Sequence, residues 1–165
     1  MIIWINGSFG VGKTSTAELL KNELDKSVIY DPEEIGGFLS NMFNYEKDDF
    51  QDYELWRTFN SDILKYMCSI HEIVIVAMTI TNKDYYDEIV NELISSGIKI
   101  NHFILNASRE NIIKRLDSRK DSTEWAYNQV DRCIKAFEEN KFDAKIINTD
   151  NMTIEEVVKS IVNLI

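Results

Sequence analysis

A lysine and a threonine close the octapeptide Gly7-Ser8-Phe9-Gly10-Val11-Gly12-Lys13-Thr14, which fits the spacing G-x-x-x-x-G-K-[ST] at every fixed position. Glycines let a backbone curl until successive N–H groups converge, and a helix that starts directly after the curl adds the positive end of its dipole. The Lys13 ammonium would then reach the β and γ phosphates of a nucleotide, and the Thr14 hydroxyl would join the oxygens around Mg²⁺. A glycine turn without a ligand has no use for the Lys-Thr pair, so these eight residues are expected to hold nucleotide phosphates.

Two departures narrow the nucleotide. A guanine-reading N-K-x-D is approached by Asn82-Lys83-Asp84-Tyr85, but Tyr85 stands where the aspartate must be. The apolar run Ile73 to Met78 also ends without the Mg²⁺-holding Asp of motor ATPases and switch GTPases. Both favour ATP and a small-molecule kinase.

The elements that must position the loop follow from periodicity. Continuous apolar runs at Ile2 to Ile5, Ser27 to Tyr30, Ile73 to Met78 and Ile98 to Leu105, with a weaker one at Ala144 to Asn148, suit strands buried on both faces. Helical spacing appears over Thr14 to Asp25 (Ala17, Leu20, Leu24), Tyr53 to Ile70 (Trp56, Phe59, Ile63, Met67) and Asp84 to Ser96 (Ile89, Leu93). It returns over Arg109 to Arg119 (Ile112, Ile113, Leu116), Trp125 to Asn140 (Val130, Cys133, Phe137) and Thr153 to Ile165, where Thr153-Ile154-Glu155-Glu156 reads as a capping box. Strands alternating with helices predict an α/β fold, a parallel sheet covered on both faces.

Composition sets the surroundings. The 165 residues fit one domain, 1–165, and a net charge of −10 argues against nucleic acid or an anionic membrane as partner. One stretch is net positive: Arg109 to Lys135 carries seven bases against five acids. Cys68 and Cys133 lack metal-ligand spacing and fit buried thiols. Met1 to Ile5 has no signal-peptide character and no apolar run is long enough to span a bilayer, so a cytoplasmic protein without a transmembrane segment is expected.

Four further segments join the loop: Tyr30-Asp31-Pro32-Glu33-Glu34-Ile35-Gly36, Asp48-Asp49-Phe50-Gln51, Leu55-Trp56-Arg57 and Val76-Ala77-Met78-Thr79-Ile80. With Gln129 to Cys133 and Thr149-Asp150-Asn151, the chain resembles, nearly end to end, the tunicamycin resistance protein family. That family comprises ATP-binding P-loop proteins related to nucleoside monophosphate kinases and chloramphenicol phosphotransferase. The resemblance implies a nucleoside-monophosphate-kinase-like, three-layer fold with strand order 2-3-1-4-5. It also implies an acceptor region at about 33–70 and a mobile lid at about 117–127. The family includes a membrane-associated type with a longer C-terminal tail; a sequence ending at Ile165 argues against that attachment here.

Asp31 closes the second strand, at the edge where open parallel sheets bind ligands. By resemblance it accepts the acceptor hydroxyl's proton or orders Mg²⁺ waters; Asp-Pro at a helix start also fits simple capping. Arg115 and Arg119 lie four apart on one helix flank and Arg132 comes from the next helix. Arg119 and Arg132 are expected on the phosphates, where guanidinium groups stabilise transition-state charge, with a smaller part for Arg115. Arg57 either binds the acceptor beside Asp31 or pairs with Glu54. His71 and His102 are lone, and Trp125 either covers adenine or packs at the lid base.

The catalytic set is then Lys13, Asp31, Arg119 and Arg132, with Asp31 and Arg57 on the acceptor and Thr14 on the metal. The expected activity is transfer of the γ-phosphoryl of MgATP to a hydroxyl of a small acceptor, such as a nucleoside-like antibiotic. The alternative is an ATP-dependent protein that confers resistance by sequestering a drug without transfer.

Overall fold

The computed structural model describes residues 1–120 and 122–165; Asp121, which falls within the expected lid, lies outside the described residues. Ile2–Gly7 (β1) occupies the middle of a five-stranded sheet with every residue buried. Its neighbours are Ile73–Ala77 (β3) and Ile100–Asn106 (β4), with Ser27–Tyr30 (β2) and Lys145–Asn148 (β5) at the edges. The order is β2-β3-β1-β4-β5, and every pairing is parallel, as in Ile3 against Ile75 and Ile5 against Phe103. This is the strand order the family resemblance implies.

Alternation along β1 divides the core into two layers. Ile3 and Ile5 face Ala17 and Leu20 of α1 (Lys13–Glu23) and Val157 and Ile161 of α7 (Ile154–Val162). Ile2 and Trp4 face the other way, onto Leu39 of α2 (Pro32–Met42), Trp56 and Leu64 of α3 (Glu54–Ile70) and Ile89 and Leu93 of α4 (Lys83–Ser95). Two more helices, α5 (Arg109–Asp117) and α6 (Glu124–Glu139), follow β4 and give Ile112, Leu116 and Val130 to the first layer.

Caps explain where the helices start. Asp31 accepts from the Glu33 N–H at 2.9 Å and Pro32 takes the first turn of α2. Asn82 accepts from the Asp84 and Tyr85 N–H groups, so the segment that mimics a guanine-reading motif is the cap of α4. Thr153 and Glu156 form the expected capping box of α7.

Two sequence expectations are corrected. The buried stripe of α3 runs through Trp56, Asn60 and Leu64, while Phe59 is 37% exposed. Asn60 is tolerated inside because it accepts from the Tyr30 hydroxyl at 2.6 Å and donates to the Trp56 carbonyl at 2.7 Å. Cys133 is buried as expected, but Cys68 is only half-buried. Among the described residues no helix is long and apolar enough to cross a membrane.

Candidate nucleotide and acceptor site

The loop between β1 and α1 has φ of +143° at Gly7 and +77° at Gly10. A Cβ at Gly7 would stand 2.5 Å from the Leu105 carbonyl oxygen, and one at Gly10 would stand 2.8 Å from Leu116 Cγ. Only glycine allows both the turn and the approach of the loop to β4 and α5. The Val11 N–H donates to Ser8 at 3.3 Å and the Thr16 N–H to Gly12 at 3.0 Å. Among the described residues, the N–H groups of Gly10, Gly12, Lys13, Thr14 and Ser15 find no protein acceptor. The Gly12 cap brings no side chain and the first turn of α1 holds no acid. Uncompensated donors at a helix N-terminus attract an anion.

Lys13 Nζ lies over this loop, donating to the carbonyls of Gly7 at 3.1 Å and Ser8 at 3.0 Å. Burial lowers its pKa to about 8, and the nearby Arg119 charge pushes the same way. Thr14 is exposed one residue further on, whereas Thr16 is buried beneath the loop.

A cavity of about 740 Å³ opens above the loop and contains Phe9, Gly10, Val11, Gly12, Lys13, Thr14, Asp31 and Arg119 in its walls. Gly7 and Ser8 lie behind it and contribute the carbonyls under Lys13. At one end stand Thr149, Met152, Thr153 and Ile154, between β5 and α7. Arg115 is locked there, donating to Val11 O at 3.1 Å, Thr149 Oγ1 at 2.9 Å and Thr149 O at 2.7 Å. It ties the loop to Thr149, the residue that follows β5. At the other end are Asp31 and Glu33, with Ala77 of β3.

Arg132 and Arg57 lie outside that lining. Arg132 donates to Thr81 Oγ1 at 3.1 Å and to Gln129 Oε1 at 2.5 Å, within electrostatic reach of Asp49. Arg57 does not pair with Glu54; it is bound to Glu88 of α4, donates to Gln51 O at 2.7 Å and stacks on the Tyr85 ring at 4.2 Å. Trp125 is 54% exposed and meets Phe9 edge-on at 4.9 Å. His71 follows the last turn of α3, and His102 is buried against Tyr86 with ring centroids 4.4 Å apart.

Sequence reasoning passed over three groups. Glu33 shares the cavity wall with Asp31, and its carboxyl is raised by desolvation first and by Asp31 next, while Lys13 opposes the rise. Asp49 caps the short 3-10 turn Phe50–Asp52, and desolvation raises its carboxyl too. Thr79 donates to Gly7 O at 2.9 Å and its own carbonyl accepts from Gln51 Nε2 at 2.9 Å, joining the acceptor side to the loop. Glu33 and Asp49 belong to the segments that carry the family resemblance, which was their only signal. Thr79 belongs to one of those segments too, but its contacts span 72 and 28 residues, and nothing local announced them.

A parallel sheet in this order, with a glycine loop leading from its central strand into a helix, defines a P-loop protein with the fold of small-molecule kinases. Residues 2–140 match the AAA domain family, and the chain belongs to it. It is similar to the tunicamycin resistance protein of Deinococcus radiodurans, at 28% identity and a TM-score of 0.82 over 99% of this chain and 94% of that one. It shares its fold with a gluconokinase from Sinorhizobium meliloti, at 14% identity and a TM-score of 0.71 over 98% and 89% of the two chains. A shikimate kinase from Bacteroides thetaiotaomicron also has it, at 19% identity and a TM-score of 0.61 over 99% and 97%. No curated protein sequence matches the chain.

Proposed function

We propose that this protein is an ATP-dependent small-molecule kinase that transfers the γ-phosphoryl of MgATP to an acceptor hydroxyl. The observation that carries the reading is that one cavity holds the loop's unpaired N–H groups and Lys13 together with Asp31 and Glu33. One side suits a polyphosphate and the other suits a hydroxyl.

Mg²⁺ fits this donor set in a particular way. Among the described residues no group of three or more His, Cys, Asp or Glu could hold a metal, so the protein would offer the Thr14 hydroxyl, with phosphate oxygens and waters completing the shell. Bound there, the ion would neutralise phosphate charge. Lys13 would exchange its two loop carbonyls for phosphate oxygens, and Arg119 would add charge from α5's end of the cavity. Arg132 would reach the phosphates only by leaving Thr81, which makes it a group of the closed state. The acceptor oxygen would attack the γ-phosphorus as the bond to the β-phosphate oxygen breaks, releasing ADP, while Asp31 takes the hydroxyl proton. Arg57 supports the acceptor side from outside, through the Gln51 carbonyl. The lid, at about 117–127, would cover the nucleotide, and cytoplasmic placement, where ATP is available, accords with the reading.

Asp31→Asn tests the mechanism, because asparagine keeps a capping oxygen for Glu33 N–H while removing the charge. Phosphoryl transfer, followed by mass spectrometry of hydroxyl compounds incubated with MgATP, should fall by about 10²-fold or more, the scale of a positioned base. ATP affinity and melting temperature should stay near those of the parent. Undiminished transfer removes Asp31 from the mechanism. The 28% identity to a tunicamycin resistance protein favours a second reading, drug sequestration without transfer, which takes over if drug binds and no compound ever gains a phosphoryl group.

A further inference from the structure

Charge is unevenly spread between the two sides of the cavity. From Asp31 to Ile70 the chain carries nine acids and three bases, more than half of the net −10. Two of those three bases are already committed: Arg57 to Glu88, and Lys65 to Asp62 and Glu92. The third, Lys47, is exposed, and none of the three lines the cavity. Asp31 and Glu33 do line it.

The two carboxylates share a turn, since Asp31 caps the helix through the Glu33 N–H. Asp49 stands within electrostatic reach of Glu33 and adds to its repulsion, whereas Lys13 is the cation that offsets it. Phosphates entering the loop would engage Lys13 and bring their own negative charge, leaving the carboxylate wall without that offset. A ligand that enters next to this wall is favoured if it donates hydrogen bonds to it and opposed if it carries an anion.

We propose that the acceptor is a hydroxyl compound without an anionic group, presenting hydroxyl or ammonium donors to the Asp31 and Glu33 carboxylates. This names the acceptor class for the transfer reading and rests on it. Sugar acids and nucleoside monophosphates are excluded by the wall; sugars, aminosugars, nucleosides and similar polyols fit it. Asp31 and Glu33 thereby select the acceptor as well as orient it, and Asp49 reinforces the selection from behind.

Binding, which needs no transfer, tests this separately from catalysis. The full chain, saturated with Mg²⁺ and a non-hydrolysable ATP analogue, is titrated with hydroxyl compounds matched in size and grouped by charge. Glucose, glucosamine and gluconate form one set, and uridine and UMP another, within a wider library built the same way. Bound compounds should be neutral or amine-bearing, with anionic counterparts weaker by about tenfold or more. Glu33→Gln should narrow that gap by roughly fivefold, the scale of a partly exposed charge interaction, with Asp49→Asn acting in the same direction and both variants compared at saturating analogue. An anionic member that binds more tightly than its neutral counterpart overturns the proposal. So does a charge preference unmoved in both variants, or a library in which nothing binds. Non-anionic compounds that bind and are never phosphorylated would leave the selectivity standing and defeat only the transfer reading.

Discussion

Lys13 rests on the carbonyls of Gly7 and Ser8, a placement that keeps an ammonium partly satisfied in a site where burial lowers its pKa to about 8. Phosphate binding is then an exchange of acceptors for Lys13 with little movement of the side chain. Thr14 has a different task, and its exposure separates it from Thr16 two residues further along α1. Thr14 is exposed at the cavity, while Thr16 is 1% exposed under the loop. Thr14→Ala should leave metal-free ATP binding nearly unchanged and reduce the enhancement by Mg²⁺ roughly fivefold to tenfold, as loss of one polar contact would. Titrations with and without Mg²⁺ check this; an enhancement equal to the parent's would remove Thr14 from the metal.

Helix α2 carries the acceptor wall, and two neighbouring glycines in it behave in opposite ways. A Cβ at Gly36 would stand 2.5 Å from the Phe50 ring, whereas one at Gly37 would meet nothing within 4 Å. Gly36→Ala should displace Phe50, which packs against Trp56, and cost about 1–3 kcal/mol of stability. Gly37→Ala should instead stabilise by roughly 0.5–1 kcal/mol through helix propensity. Denaturant unfolding of both variants gives the test, and equal effects would show that α2 and the 3-10 turn are not packed as described. The same helix marks the limit of what the sequence reveals. Central strands were legible because β1, buried on both faces, can only be a continuous apolar run. Helix α2 was legible only as part of a helical acceptor region, since its glycine pair and the outward-facing Phe38 and Met42, 54% and 58% exposed, blur the amphipathic pattern. In α3 the periodicity pointed to Phe59, but a hydrogen bond from Tyr30 drew Asn60 inside instead. The loop could be read residue by residue because its chemistry is local. Arg57 could not, because its partner Glu88 lies 31 positions away on another helix.

The whole molecule carries a pH sensitivity unrelated to the loop. His102, 5% exposed, stacks on Tyr86 beneath α4, and burial lowers its pKa from the usual 6.5 to about 4. Above pH 6.5 the imidazole is neutral folded or unfolded and contributes no slope. As pH falls from 6.5 towards 4 the unfolded chain takes up a proton that the fold resists, so stability drops, by up to roughly 3 kcal/mol. Glu33 and Asp49 act with the opposite sign, since their raised carboxyls are protonated more readily in the fold. Comparison with His102→Phe isolates the imidazole: the parent should lose more stability than the variant between pH 7 and pH 5 in denaturant titrations. Parallel losses would refute the assignment. The central claim, that the Gly7 to Thr14 loop is the MgATP site of this fold, is tested most directly by calorimetry of MgATP with the parent and Lys13→Ala. The account predicts one nucleotide per chain for the parent and affinity weakened roughly 10- to 100-fold in the variant, the scale of a charged hydrogen bond, with the melting temperature of the nucleotide-free protein unchanged. Equal affinity in the two proteins, or a parent that binds no ATP, would contradict it.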